Sequence, residues 1–169
     1  MSLIVQKFGG TSVADPERMR EVADHVKRTR DHGDDVVLVV SAMGKETDHL
    51  LRLAEEVSGT RPAREMDMLI TAGERKAIAL MCMALHDMGV PADSFTGSQA
   101  GFLTDTNHQN AKILTINPER VKETIEAEYK NALKAKDKTK ISTYRLILSS
   151  IKDLDITNRS GPNKKETDD

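Results

Sequence analysis

Hydrophobic positions along the chain switch repeatedly between short unbroken apolar runs and apolar residues three or four apart, the pattern of strands alternating with helices. Leu3, Ile4 and Val5 begin the first run, which empties into Lys7-Phe8-Gly9-Gly10-Thr11-Ser12-Val13. Asp15 as a cap, Pro16 at the first helical position and Glu17 in the first turn then announce a helix. Met19, Val22, Ala23 and Val26 share one face of it, so the spacing predicts a helix over 16–31 that Gly33 stops. Residues 36–41, Val-Val-Leu-Val-Val-Ser, predict a strand buried on both faces of a parallel sheet. Leu50, Leu51, Leu53, Ala54 and Val57 mark a second helix broken at Gly59. A longer helical stretch covers 63–88, interrupted near Thr71-Ala72-Gly73. After the turn Gly89-Val90-Pro91, residues 92–95 predict a third strand, and 101–104 and 112–116 two short ones. Such units predict an α/β fold: a layered, mostly parallel sheet with right-handed crossovers.

Beyond about Thr124 the pattern changes. Residues 123–135 predict one helix, and Asp137 can cap a second that carries Ile141, Tyr144, Leu148 and Ile151. Between Lys130 and Lys165 ten Lys or Arg stand against three Asp. Residues 160–169 have the composition of a frayed tail. The domain organisation expected is therefore an α/β part over 1–122, a helical hairpin over 123–159 and a flexible tail over 160–169.

Composition narrows the function classes. With 169 residues the chain is long enough to bury a core, and with 3% aromatics that core rests on Val, Leu, Ile, Met and Ala. A net charge of −2 gives no global electrostatic drive toward nucleic acid or membrane. The lone Cys82 sits in an apolar run, reads as a small core residue, and rules out a disulfide framework. No secretory signal and no membrane-length apolar run is visible, so a cytoplasmic setting is expected.

The chemistry-bearing residues fall where apolar runs end. A strand that empties through paired glycines into a helix can hold a phosphate, because backbone N–H groups converge on the anion and a nearby lysine adds full charge. The same residues also suit a tight strand-to-helix turn with an exposed lysine, and neither GxGxxG nor GxxxxGK[ST] is present. Three polar clusters follow expected strands: Lys7 with Gly9, Gly10, Thr11 and Ser12; Ser41 with Gly44, Thr47 and Asp48; and residues 95–101, a glycine-punctuated loop. Ligands in open parallel sheets bind beyond the carboxyl ends of strands, so these clusters can meet. A fourth, Thr71-Ala72-Gly73-Glu74-Arg75, restarts a helix beneath such a site. The five histidines show no metal-ligand spacing, and no metal site is expected.

The ordered segments VQKFGGTSVAD at 5–15, VVLVVSAMG at 36–44, LITAGER at 69–75, SFTGSQAG at 94–101 and NAKIL at 110–114 carry a resemblance. Over residues 1–122 the chain is similar to the N-terminal part of bacterial aspartate kinases of the amino acid kinase family. The resemblance implies a partial amino acid kinase-like fold. It also implies transfer of phosphate from ATP, carried with Mg²⁺, to the side-chain carboxylate of L-aspartate, an early step toward lysine, threonine and methionine. On that resemblance Lys7 is the phosphate-contacting, catalytic lysine, and Gly9, Gly10 and Thr11 line the phosphates. Ser41 and Thr47 lie on the substrate side, and Glu74 meets the substrate ammonium. The family pattern continues into a Gly-Arg-Gly-Gly-Ser-Asp and a Tyr-Thr-Asp-Val-Asp-Gly segment, which do not occur in these residues. The resemblance therefore implies a substrate-side half without its nucleotide half, inactive alone.

Residues 126–138 with ISTYRLILSSIKD at 141–153 resemble the start of GatB/YqeY-type helical proteins, related to a domain of a tRNA-dependent amidotransferase. That places a seam between Val121 and Ala127. Three readings follow: an aspartate kinase-type enzyme that can form a homo-oligomer; a module contacting tRNA through Lys134, Lys136, Lys138, Lys140 and Arg145; or an inactive fusion of two fragments whose hairpin covers a sheet edge.

Overall fold

The computed structural model describes residues 3–117, 119–136, 138, 141, 145, 148 and 149. The elements are β1 (Leu3–Phe8), a 3-10 turn (Gly10–Val13), α1 (Pro16–Asp31), β2 (Asp35–Val40), α2 (Glu46–Val57), α3 (Ala63–Asp87), β3 (Phe102–Thr104), β4 (Ile113–Ile116) and α4 (Glu119–Ala135). Strands and helices thus alternate early in the chain, giving a mixed α/β protein.

Local chemistry sets α1. Asp15 is extended, and its Oδ1 accepts the Arg18 backbone N–H at 2.9 Å, satisfying one donor left open at the helix start. Pro16 at the first position loses nothing by lacking an N–H. The helix ends at Asp31, and Gly33 takes a φ of 94°, where its N–H reaches the Arg30 carbonyl at 2.9 Å. Met19, Val22, Ala23 and Val26 are buried, as their spacing predicts.

β1 and β2 pair in parallel, from Leu3 opposite Asp35 to Phe8 opposite Val40. Phe8, Val36, Leu38 and Val40 pack against a core of Val13, Met19, Val22, Ala23, Val26, Met81, Leu85 and Val90. The residues between them point the other way, and Val5, Val37 and Val39 are 66%, 46% and 44% exposed. The expectation that β2 is buried on both faces is therefore corrected: among the described residues only one face of this pair is covered. Among the described residues the strands form two sheets of two strands each, β1–β2 and β3–β4, and the wider layered sheet is not seen.

Two further expectations are revised. Residues 92–95 form no strand. The Ala92 carbonyl, which a ladder would engage, lies 2.7 Å from His86 Nε2 at the end of α3. The helix over 63–88 is not interrupted either: α3 runs unbroken, with Gly73 buried inside it. A glycine there costs about 1 kcal/mol in helix propensity relative to alanine. Close packing against a neighbouring helix, described below, accounts for its place.

The chain divides into two units, residues 1–98 with 103–115, and residues 99–102 with 116–169. In the first, the loop after β3 is fastened to α3: the Asp67 carboxylate accepts from His108 Nδ1 at 2.8 Å and from the Gln109 N–H at 3.2 Å. In the second, Gly101 at φ 85° accepts the Asn117 N–H at 2.7 Å, and a Cβ on Gly101 would sit 1.5 Å from the Asn117 carbonyl oxygen. Helix α4 covers the helix expected over 123–135 and begins four residues earlier, and Arg145 Nε donates to the Tyr129 hydroxyl at 2.9 Å. Most of the expected second helix, and the tail over 160–169, lie outside the described residues.

Candidate functional site

The parallel pairing of β1 and β2 puts the two glycine-bearing loops side by side. The Ser41 N–H reaches the Phe8 carbonyl at 3.3 Å, extending the ladder one residue, and the Gly44 N–H reaches the Gly10 carbonyl at 2.9 Å. Gly10 must be glycine for this approach, since a Cβ on it would lie 2.7 Å from the Ala42 carbonyl oxygen. Gly44 adopts φ 51°, and a Cβ on it would meet Ala14 at 3.4 Å. Space beside Gly9 is open, with nothing within 4 Å of an added Cβ. The loop is braced from below: Ser12 N–H returns to the Gly9 carbonyl at 2.9 Å, and Arg18 Nη1 donates to the Thr11 carbonyl at 2.8 Å.

Ala42, buried at the end of β2, also touches α3. A Cβ on Gly73 would meet Ala42 Cβ at 3.3 Å, Glu46 Cγ at 3.2 Å and Leu50 Cδ1 at 3.4 Å. Helices α2 and α3 therefore close on each other at Gly73, with an ion pair from Lys76 Nζ to Glu46 Oε1 at 2.6 Å beside the contact. One chain of contacts, Gly10 to Ala42 to Gly73, links the ends of β1 and β2 to the middle of α3 and the first turn of α2.

The sequence-derived candidates map onto this chain as follows. Lys7 is on β1 opposite Val39, with an exposed side chain. Gly9, Gly10 and Thr11 form the loop and the start of the 3-10 turn. Ser41 is half-buried immediately after β2, Thr47 is half-buried in the first turn of α2, and Glu74 is half-buried one residue past Gly73. The first and second clusters are thus tied by backbone contacts, and the fourth packs at Gly73 against the side chains of Ala42, Glu46 and Leu50. The third, residues 95–101, follows no strand, and within it Thr96 Oγ1 and Ser98 Oγ stand 3.3 Å apart. Sequence reasoning overlooked Ala42, Glu46, Gly73 as a contact and Lys76. Thirty residues separate Glu46 from Lys76, and no local pattern marks such a pair.

Other candidates have structural occupations. His25 stacks edge-on against Phe8 with ring centroids 5.9 Å apart, and His108 holds Asp67. Among the described residues no group of three His, Cys, Asp or Glu could hold a metal ion. Cys82 is half-buried, and desolvation, with a smaller contribution from Asp93, pushes its thiol above the ordinary value. Lys134, Lys136, Lys138 and Arg145 are exposed, Arg145 engaging Tyr129, whereas Lys140 lies outside the described residues. Among the described residues no helix is long and apolar enough to cross a membrane.

A parallel strand pair whose carboxyl ends carry two interlocked glycine loops, backed by helices, defines an α/β protein. Comparison with known proteins narrows the class. The model of the amino acid kinase family matches residues 2–134, and the chain belongs to that family. Over 126 residues it is 55% identical to the aspartokinase of Mycolicibacterium smegmatis and 53% identical to that of Corynebacterium glutamicum, covering 75% of this chain and 30% of each relative. The crystal structure of aspartate kinase from Synechocystis is similar at a TM-score of 0.63 and 45% identity, covering 73% of this chain and 20% of that one. The chain thus spans about 30% of the length of the curated relatives it matches. The family match runs across residues 121–127, where a seam was expected, and through most of α4.

Proposed function

We propose that the chain forms the aspartate- and phosphate-facing part of an aspartate kinase-type phosphotransferase. The observation that carries this reading is the contact chain from Gly10 through Ala42 to Gly73, which ties the loop behind Lys7 to Ser41 and to the helix bearing Glu74. In the reaction, a side-chain carboxylate oxygen of L-aspartate bonds to the terminal phosphorus of ATP while the bond from that phosphorus to the ADP oxygen breaks. Carboxylate and phosphate are both anionic, so the protein's task is to hold them in line and offset their repulsion.

Each residue has a part in that task. The Lys7 ammonium, exposed at the end of β1, offsets charge on the transferring group. Gly9, with open space beside it, allows close approach of phosphate oxygens to the backbone of Gly9, Gly10 and Thr11. Ser41 and Thr47 offer hydroxyl donors to the substrate carboxylates, and Glu74 accepts from its ammonium. No side-chain nucleophile is required, because the substrate carboxylate attacks. The open, cation-flanked glycine loop suits a nucleotide phosphate, and ATP with Mg²⁺, when bound, supplies the phosphoryl group and a counter-charge for it.

These residues represent one face of the reaction. The Gly-Arg-Gly-Gly-Ser-Asp and Tyr-Thr-Asp-Val-Asp-Gly segments that the family resemblance assigns to arginine clamping and the nucleotide pocket are not in them. Binding without turnover is accordingly the expected behaviour of this chain alone. In a titration followed by amide resonances, L-aspartate should shift Ser41, Thr47 and Glu74 saturably, and Glu74→Gln should weaken that binding about tenfold, the loss of a charge-assisted contact. A hydroxylamine trap should collect no aspartyl phosphate. Absence of any saturable shift would overturn the binding assignment, and robust aspartate-dependent trapping would overturn the expectation of inactivity.

A further inference from the structure

We infer that Glu46 and Lys76, closing over Gly73, form a positioning clasp that sets the separation of Thr47 and Glu74, and with it the fit of an α-amino dicarboxylate. The inference rests on the functional reading above and adds residues that neither the sequence motifs nor the relatives' names point to. Glu46 touches α3 twice: its Oε1 takes the Lys76 ammonium at 2.6 Å, and its Cγ lies 3.2 Å from where a Gly73 side chain would begin. Leu50, one turn further along α2, and Ala42 fill the rest of the same contact. The contact at Gly73 and the flanking ion pair couple the orientation of the two helices.

Thr47 follows Glu46 by one residue and Glu74 follows Gly73 by one, so each is turned about 100° from its clasp residue, a geometry fixed by 3.6 residues per turn. Fixing the clasp therefore fixes both. Lys76 is two residues from Glu74 and lies on a different side of α3, so it acts on the substrate through α2 rather than by contact. Lys76 and Glu46 are 44% and 23% exposed, so the pair adds little to global stability and its removal leaves the fold intact.

The test uses the whole chain and four forms: wild type, Lys76→Met, Glu46→Lys, and the swapped Glu46→Lys/Lys76→Glu. Each is titrated with L-aspartate by amide NMR, with a urea midpoint measured alongside. Three- to tenfold weaker aspartate binding is expected in each single variant, with near-wild-type affinity regained in the swap and the urea midpoint little changed in all four. Unchanged affinity in Lys76→Met, or a loss that the swap does not repair, would overturn the clasp. A role confined to stability would move the midpoint and leave the affinity alone. Should wild type itself not bind L-aspartate, the functional reading fails separately, and the clasp is read in ligand-free spectra. There Lys76→Met must displace the Thr47 and Glu74 amide resonances and the swap must return them; resonances that stay put would refute it.

Discussion

Gly10 shows how much a single missing atom can decide. A Cβ at this position would fall 2.7 Å from the Ala42 carbonyl oxygen, a rigid backbone atom, so Gly10→Ala must push the two loops apart. A destabilisation of about 1–3 kcal/mol is expected, as for overpacking generally, read as a lowered urea midpoint. Cys82 supplies a second residue-scale prediction. Burial, aided by Asp93, raises its thiol above the ordinary value, so the folded state holds its proton longer than the unfolded chain. The stability contribution is therefore fully present below the unfolded value and is lost as pH rises from there through the raised folded value. Alkylation of Cys82 by iodoacetamide at pH 8 should be slower than that of the unfolded chain, and Asp93→Asn should raise the rate modestly, since burial is the larger cause. The lysine, the glycine pair, Ser41, Thr47 and Glu74 are candidates that the sequence offers because they stand in or beside short motifs. Ala42, Glu46 and Lys76 are not, because their roles arise from contacts between distant segments.

At the scale of elements, legibility follows the range of the interactions involved. Helix α1 was read to the residue because an aspartate cap, a proline at the first position and a glycine stop are all local. Replacing Asp15 by Ala should remove its bond to the Arg18 N–H and destabilise the protein by about 0.5–2 kcal/mol in thermal or urea melts. The break expected in α3 was misplaced because Gly73 looks like a helix breaker until α2 is packed against it. Strand β2 was correctly located but assigned one buried face too many. Its unbroken apolar run hides an alternation that only exposure reveals, with Leu38 turned to the core and Val37 away from it. Paired substitutions distinguish the faces: Leu38→Ala should cost about 2 kcal/mol or more, while Val37→Ala should cost within about 0.5 kcal/mol, both read from chemical denaturation.

For the molecule as a whole, family membership was legible in five motifs in the family's order, and the family match over residues 2–134 bears it out. Less of the architecture could be read. Sheet size depends on which strands find partners, and among the described residues two pairs form rather than one broad sheet. The seam expected at residues 121–127 came from the change of resemblance there. Helix α4, from Glu119 to Ala135, runs through those residues.

Position 42 leaves little room for compensation. Its methyl group faces Gly73 while its carbonyl faces Gly10, so the two glycines are constrained by different atoms of one residue. Shaving that methyl off, as in Ala42→Gly, should relieve part of the crowding in a Gly73→Ala chain, whose new methyl still meets Glu46 Cγ, and do nothing for a Gly10→Ala chain. In a double-mutant cycle the first pair should couple strongly and the second should simply add. Three codons far apart in the gene would then vary under one steric rule.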